Sequence, residues 1–188
     1  MRKLIYVQMV SLDGYMEGPG GSLDWSAPSQ ELHQHFNDLY LNGEIDLSLY
    51  GRRLYENMAG YWPEVKEDSN APYVEKEFAR VWKQVPKIVF SKTLNTTEWN
   101  SRLAREVIPE EIQSIKQQPG GMIEVAGADL AATFLKLGLV DQVWLYLHPV
   151  VLGGGKRMFP DEIEHDEHVT HWDDYRLRDS IWPLNNKL

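Results

Sequence analysis

The chain contains no cysteine, which excludes disulfide frameworks, thiolate nucleophiles and Cys-containing zinc sites together. That absence accords with a reducing cytoplasm, the location we expect. No window offers about 18 consecutive uncharged apolar residues, so no membrane span is expected. The opening "MRKLIYVQMVSLDG" sets two basic residues before an apolar run, but Gln8 interrupts the run and no small-x-small cleavage site follows. It reads as a first strand rather than a leader. Positive charge is also scarce: 19 Lys and Arg stand against 28 Asp and Glu, a net charge of -9. Such a surface repels a phosphate backbone, so no nucleic-acid partner is expected. Internal repeats and low-complexity segments are missing too. With 188 residues, 43% of them hydrophobic, the chain is expected to form one domain over 1–188.

What is present is an alternation of strand-like and helix-like stretches punctuated by Gly and Pro. "LIYVQMV" is a strand, followed by the glycine-rich loop "SLDGYMEGPGGSLDW". Leu32, Phe36 and Leu39 recur at helical spacing, with Ser26 or Ser29 as cap and Gly43 as stop. "IDLSLY" is a strand, and "RRLYENM" opens a short helix. Val74, Phe78, Val81 and Trp82 share one helical face before the strand "PKIVFS". A helix is predicted from about Pro109 to Gln117, then the strand "GMIEVAG", then a helix whose stripe is Leu130, Phe134 and Leu137, ending at Gly138. "DQVWLYLHPVVLGGG" is a longer strand, and "YRLRDSIW" a candidate last one, the two antiparallel. Strands alternating with helices of this length indicate an α/β sandwich with a largely parallel sheet, in which ligands sit beyond the carboxyl ends of the strands.

Four such ends read "MVSLDG", "YGRRLY", "FSKTL" and "VAGADLA". Together they resemble the inventory of a nucleotide pocket. Ala126, Gly127 and Ala128 let a ligand approach the backbone, and the free N–H groups of the following helix attract a phosphate. Gly51 permits the turn, while Arg52 and Arg53 offer charge to a phosphate or a stack beneath an adenine. Ser91 and Lys92 add a hydroxyl and a third cation. Literal fingerprints are absent. Gly18 and Gly20 begin G-x-G-x-x-G, but Leu23 breaks it; "GGGK" is no P-loop, since Arg157 takes the Ser/Thr place. Gly153 to Gly155 instead bend a hairpin or leave space beside a ligand. His165, His168 and His171 lie among acidic residues and read as a solvated loop rather than a metal site. No metal is expected. His33 and His35, two apart, face differently on their helix.

These junctions, in this order, resemble the dihydrofolate reductase-like superfamily, and more closely the RibD C-terminal domain family, the reductase domain of bacterial riboflavin biosynthesis. The resemblance covers nearly the whole chain and is most specific in "VAGADLAATFLKLGLVDQVWLYLHPVVLGGGKRMF". It implies a three-layer α/β/α sandwich with a mostly parallel central sheet and antiparallel C-terminal strand(s), and NADPH as cofactor. In the family the nicotinamide lies against the end of the first strand, here Met9 and Val10. The diphosphate and adenosine lie along residues matching Gly51, Arg52, Arg53, Leu54, Ser91, Lys92, Ala126, Gly127, Ala128, Asp129 and Leu130. Asp13, in the loop after the first strand, and Trp25, resembling the tryptophan at the pocket rim, fall on the substrate side.

The chain departs from the family at several places. Riboflavin-pathway reductases carry a substrate-binding glutamate where this chain has Val125, with Glu124 one place away and facing the other side of its strand. The pocket carboxylate of folate reductases falls on Gln30, beside Glu31. Leu54 replaces a phosphate-binding threonine. The deaminase half of the bifunctional riboflavin protein is absent, because its zinc motif needs cysteine. Three functions follow: a stand-alone NADPH-dependent reductase of a small heteroaromatic or carbonyl-type acceptor; a true riboflavin- or folate-pathway reductase; and a nucleotide-binding protein without turnover. Asp24 or Glu31, flanking Trp25, is the candidate acid if partly buried. Arg52, Arg53 and Lys92 favour NADPH over NADH, whereas Asp129 aimed at the ribose would favour NADH. A homodimer is expected through the strand Val143 to Val151, its aromatic face Trp144, Tyr146 and His148 meeting the symmetry mate.

Overall fold

The computed structural model describes residues 1–65 and 68–159. In chain order these form β1 (Leu4–Ser11), β2 (Tyr15–Glu17), α1 (Gln30–Leu41), β3 (Ile45–Gly51), α2 (Arg52–Val65), α3 (Tyr73–Gln84), β4 (Lys87–Phe90), β5 (Ser101–Ala104), α4 (Pro109–Gln117), β6 (Met122–Ala126), α5 (Ala128–Lys136), β7 (Gln142–His148) and β8 (Lys156–Arg157). Six strands make one sheet in the order β5-β4-β3-β6-β1-β7, with every pairing parallel, and β2 with β8 forms a separate antiparallel ribbon. The expected last strand "YRLRDSIW" and the three histidines from His165 to His171 lie outside the described residues.

Alternation along each strand divides the sheet into two faces. Leu4, Tyr6 and Val10 of β1, Leu47 and Leu49 of β3, and Ile123 and Val125 of β6 pack under Ile112 of α4 and Leu130, Ala131, Phe134 and Leu135 of α5. On the other face, Tyr50 and Val89 meet Tyr55 of α2 with Phe78 and Trp82 of α3, while Ile5 and Ile45 meet Leu39 of α1. The result is the three-layer sandwich, helices on both faces.

The helix signals act where predicted. The Ser29 hydroxyl accepts from the Leu32 amide and caps α1, and Gly43, at φ 72°, ends the turn after it. α4 begins with Pro109 in its first turn. Two helices differ from expectation. α2 runs for 14 residues and continues past Pro63, although proline removes a helix donor, because Trp62 packs on Phe78 with ring centroids 4.5 Å apart. In α5 the stripe uses Leu135, whereas Leu137 is exposed beyond the end of the helix. β5, "SRLA", lacks any apolar alternation to reveal it and exists as an edge strand beside β4.

β7 also turns out differently. Its aromatic face is covered by the molecule itself: Tyr146 packs on Phe36 of α1 at 4.7 Å and His148 meets Trp25 edge-on at 5.4 Å. The aliphatic side chains Val143, Leu145 and Leu147 are the exposed ones. The face open to a partner is therefore the aliphatic one, since α1 needs an apolar bed and takes the aromatic side.

Candidate functional site

Strand order and register open a crevice at one place. β1 pairs with β6 only over Leu4, Ile5 and Tyr6, yet pairs with β7 from Ile5 to Ser11. From Val7 onward the inner edge of β1 faces no strand among the described residues, because β6 ends at Ala126 and the chain turns away at Gly127, φ 89°. This is also where the strand order reverses: β3, β4 and β5 build outward on one side of β6, and β1 and β7 lie on the other. Such switch points are where open α/β sheets bind ligands. Met9 and Val10 line the unpaired edge, flanked by the N-termini of α5 and α2.

The parallel sheet brings all four predicted junctions to the same end. Gly51 stands beside Phe90 in register, and Arg52 donates to the Thr93 hydroxyl at 2.9 Å, joining the start of α2 to the turn holding Ser91 and Lys92. Lys92 is exposed and without an ion pair among the described residues. The Ser91 hydroxyl is already committed, accepting from the Thr93 and Leu94 amides. Leu54 packs within 3.7 Å of where a Cβ on Gly127 would sit, filling with hydrocarbon the place of a hydroxyl.

Two adjoining clefts, of about 440 and 420 Å³, meet at Gly155 and Lys156. One is lined by Tyr15, Ala128, Asp129 and Arg157; the other by Glu17, Gly18, Gly20, Gly21 and Arg53. Each holds a cation occupied by a carboxylate of the chain itself. Arg53 donates to Glu17 at 2.9 Å, and Lys156 to Asp129 at 2.5 Å. Asp129 therefore neither caps α5 nor stands free for a ribose. Glycine is required at position 155, where a Cβ would fall 2.0 Å from the Glu17 carbonyl oxygen.

Trp25 packs edge-on against His148 at the end of β7, its Nε1 buried with no hydrogen-bond partner among the described residues. Asp13 ties the loop after β1 to the glycine run: it accepts from the Ser11 hydroxyl at 2.7 Å and from the Leu152 and Gly153 amides at 3.1 and 2.7 Å. These bonds, the Ser11 one foremost, pull its carboxyl down to about 2. Asp24 and Glu31 are both exposed; Asp24 accepts from the Ser22 hydroxyl, and Glu31 sits in the first turn of α1. The partial burial on which an acid role depends is missing at both.

Residues 2–179 match the RibD C-terminal domain family. The chain belongs to that family. The uncharacterized protein YyaP of Bacillus subtilis (strain 168) is 39% identical over 161 residues, 85% of this chain and 81% of its own. YwjB of the same organism, also uncharacterized, is 28% identical over 160 residues, 84% of this chain and 83% of its own. Among solved structures, a Shewanella sp. PV-4 protein described provisionally as a riboflavin biosynthesis protein superposes with a TM-score of 0.64 at 23% identity, covering 85% of this chain and 84% of that one. Dihydrofolate reductase from Enterococcus faecalis, solved with NADP(H), gives 0.52 at 13% identity over 83% and 76%. These likenesses show the fold.

Within the RibD C-terminal domain fold, Glu124 does not replace the missing family glutamate. Val125 is buried toward α4 and α5, and Glu124, 5% exposed, points to the opposite face. There its Oε1 accepts from the Tyr40 and Tyr50 hydroxyls at 2.6 and 3.2 Å. Burial raises its pKa, opposed by Ser48, Tyr40, Tyr50 and the charge of Lys87. It is a structural acid beneath helices. Sequence reasoning missed Glu17 and Lys156. Lys156 follows the glycine run and could have been weighed as a cation in its own right; Glu17 carries no local signal, since its partner lies 36 residues away.

Proposed function

We propose that this RibD C-terminal domain protein is a reductase that binds NADPH in the crevice beside β1 and reduces a small heteroaromatic or carbonyl-type acceptor. The observation that carries the reading is the unpaired edge of β1 beyond Tyr6, opening between the N-termini of α2 and α5 with cations on both sides. Bound NADPH supplies the hydride. The residues present fit a dinucleotide: one of the adjacent pair Met9 and Val10 turns its backbone groups to the open strand edge, since neighbouring residues of a strand alternate between its two edges, the first N–H groups of α5 face the crevice end, and Arg52, Arg53, Lys92 and Lys156 surround it. Arg53 and Lys156 exchange Glu17 and Asp129 for phosphate, and the exposed Lys92 stands at the adenosine end for a 2′-phosphate. Asp13 and Trp25 stand on the acceptor's side, Asp13 by fixing the loop and Trp25 by offering Nε1. Asp24 and Glu31 are exposed and serve there at most through solvent.

Titration with NADPH and NADH tests this reading. We expect tighter binding of NADPH, and Arg53→Ala and Lys92→Ala to weaken it selectively, each by about 1.5 to 3 kcal/mol for a charge-assisted contact. Equal affinity for the two cofactors in the parent would overturn it. The same reading includes a homodimer through Val143, Leu145 and Leu147, and light scattering at micromolar concentration should return twice the 21.8 kDa chain mass.

A further inference from the structure

The β2–β8 ribbon is tied to the starts of two helices. Its residues Glu17 and Lys156 are paired in register, and each reaches a different helix at that helix's second residue. Glu17 accepts from Arg53 of α2, and Lys156 donates to Asp129 of α5. The two ion pairs run in opposite senses, the ribbon giving the anion to one helix and the cation to the other. Arg53, Lys156 and Glu17 line one cleft, and Asp129 lines its neighbour beside Lys156. The Glu17 pair is covered: Glu17 is 9% exposed, and a Cβ on Gly21, φ 82°, would fall 2.9 Å from Arg53 Nη2 and 3.6 Å from Glu17 Oε2. Asp129 has no such cover, and its side chain is 85% exposed.

Resting on the reductase reading above, we propose that Glu17 and Asp129 are built-in competitors for the cofactor's phosphates, an autoinhibitory contact that keeps Arg53 and Lys156 closed to small anions. A carboxylate tethered in the same chain competes at a high effective concentration, whatever anions the solvent holds. Orthophosphate brings nothing but charge and hydrogen bonds, which the carboxylates already supply. A dinucleotide brings its two rings and ribose groups as well, and that additional binding energy displaces the carboxylates. The displacement is costly at Glu17, which is left buried without its cation, and cheap at Asp129, which already lies mostly in water. Cofactor affinity is thereby held below what the two cations would give if they stood unpaired.

The sign of the effect separates this role from a structural one. If the ion pairs only fasten the ribbon, Glu17→Gln and Asp129→Asn loosen the clefts and weaken binding; if the carboxylates compete, both variants bind NADPH more tightly. Calorimetric titration of parent and variants with NADPH, alone and against orthophosphate, measures it. We expect NADPH affinity to rise about tenfold in Glu17→Gln, whose pair is covered, and about threefold in Asp129→Asn, whose pair is exposed. Orthophosphate should compete with NADPH in both variants and scarcely in the parent. In an Arg53→Ala background the gain from Glu17→Gln should shrink to about twofold or less, because the competition runs through that guanidinium. Asp129→Asn alters an exposed side chain and carries the test whether or not Glu17→Gln folds. NADPH affinity unchanged or lowered in either folded variant overturns the competitor role and leaves the reductase reading intact. So does orthophosphate competing as well in the parent as in the variants, or a Glu17→Gln gain that persists in full without Arg53. A parent that binds no NADPH overturns the reductase reading instead, and this inference with it.

Discussion

The two faces of the sheet are built from different materials. Under α4 and α5 the contacts are mostly aliphatic around Phe134, with Phe90 and buried Tyr6 among them and buried Lys116 at the margin, paired to Asp141 at 2.7 Å. Under α1, α2 and α3 the layer is aromatic and carries buried polar groups: His33, Asn37, Ser48, Glu77, Lys87 and Glu124. Lys87 donates to the carbonyls of Trp82, Val85 and Trp99 and lies over the Trp82 ring. Glu77 accepts from Gln34, Asn37 and Tyr73. The aliphatic contacts themselves need only volume and do not titrate. A face of buried hydrogen bonds is specific in its partners, and its stability depends on their protonation. The difference shows where the fold is generic and where it is tuned: the crevice opens between the N-termini of α2 and α5, where the two faces meet, and the His35–Tyr146 pair belongs to the second face.

The largest expected effect breaks the aliphatic face. Phe134, 0% exposed, truncated to alanine should cost about 3 to 5 kcal/mol in denaturant unfolding, with no change in how stability varies with pH. A pH-dependent loss would show that the two faces are not separable in this way. Next, Tyr40→Phe removes the shorter hydrogen bond to buried Glu124 and should cost about 1 to 3 kcal/mol; a neutral outcome would mean the polar group is satisfied without it.

The smallest effects concern slopes rather than absolute stability, and they sharpen the contrast most. The folded-state pKa of Glu124 is raised, so the native state binds more protons and the parent should lose stability as pH rises above the ordinary carboxyl range toward that raised value. Glu124→Gln should remove that fall in thermal melts taken against pH, whereas an unchanged slope would place the titration elsewhere. Lys87 is lowered from 10.5 to about 8, chiefly by burial. Between those limits the unfolded chain binds more protons, so stability should rise with pH, and Lys87→Met should flatten that rise. Phe134→Leu, on the other face, should alter neither slope.

Much of the fold was legible because its signals are local. The Ser29 cap and Gly43 stop, Pro109 at the head of α4, the alternation in β3 and β6, and the glycine at 127 all act within a few residues of themselves. Hydrophobic period, caps and breakers therefore marked the elements, and the alternation of strands with helices implied a parallel sheet that collects its loops at one end. The four cation- and glycine-bearing junctions could be found for the same reason. What only the tertiary structure decided are relations between distant segments. β1 parts from β6 after Tyr6 because β6 is short and turns away at Gly127; no pattern within β1 records it. Glu17 holds Arg53 and Asp129 holds Lys156 because the β2–β8 ribbon folds over Gly155. The aromatic side of β7 is covered because α1 lies on it, and His35 finds Tyr146 across 111 residues of chain. A side chain's chemistry is local, whereas its partner, its burial and hence its protonation are set by which strands and helices are neighbours in space.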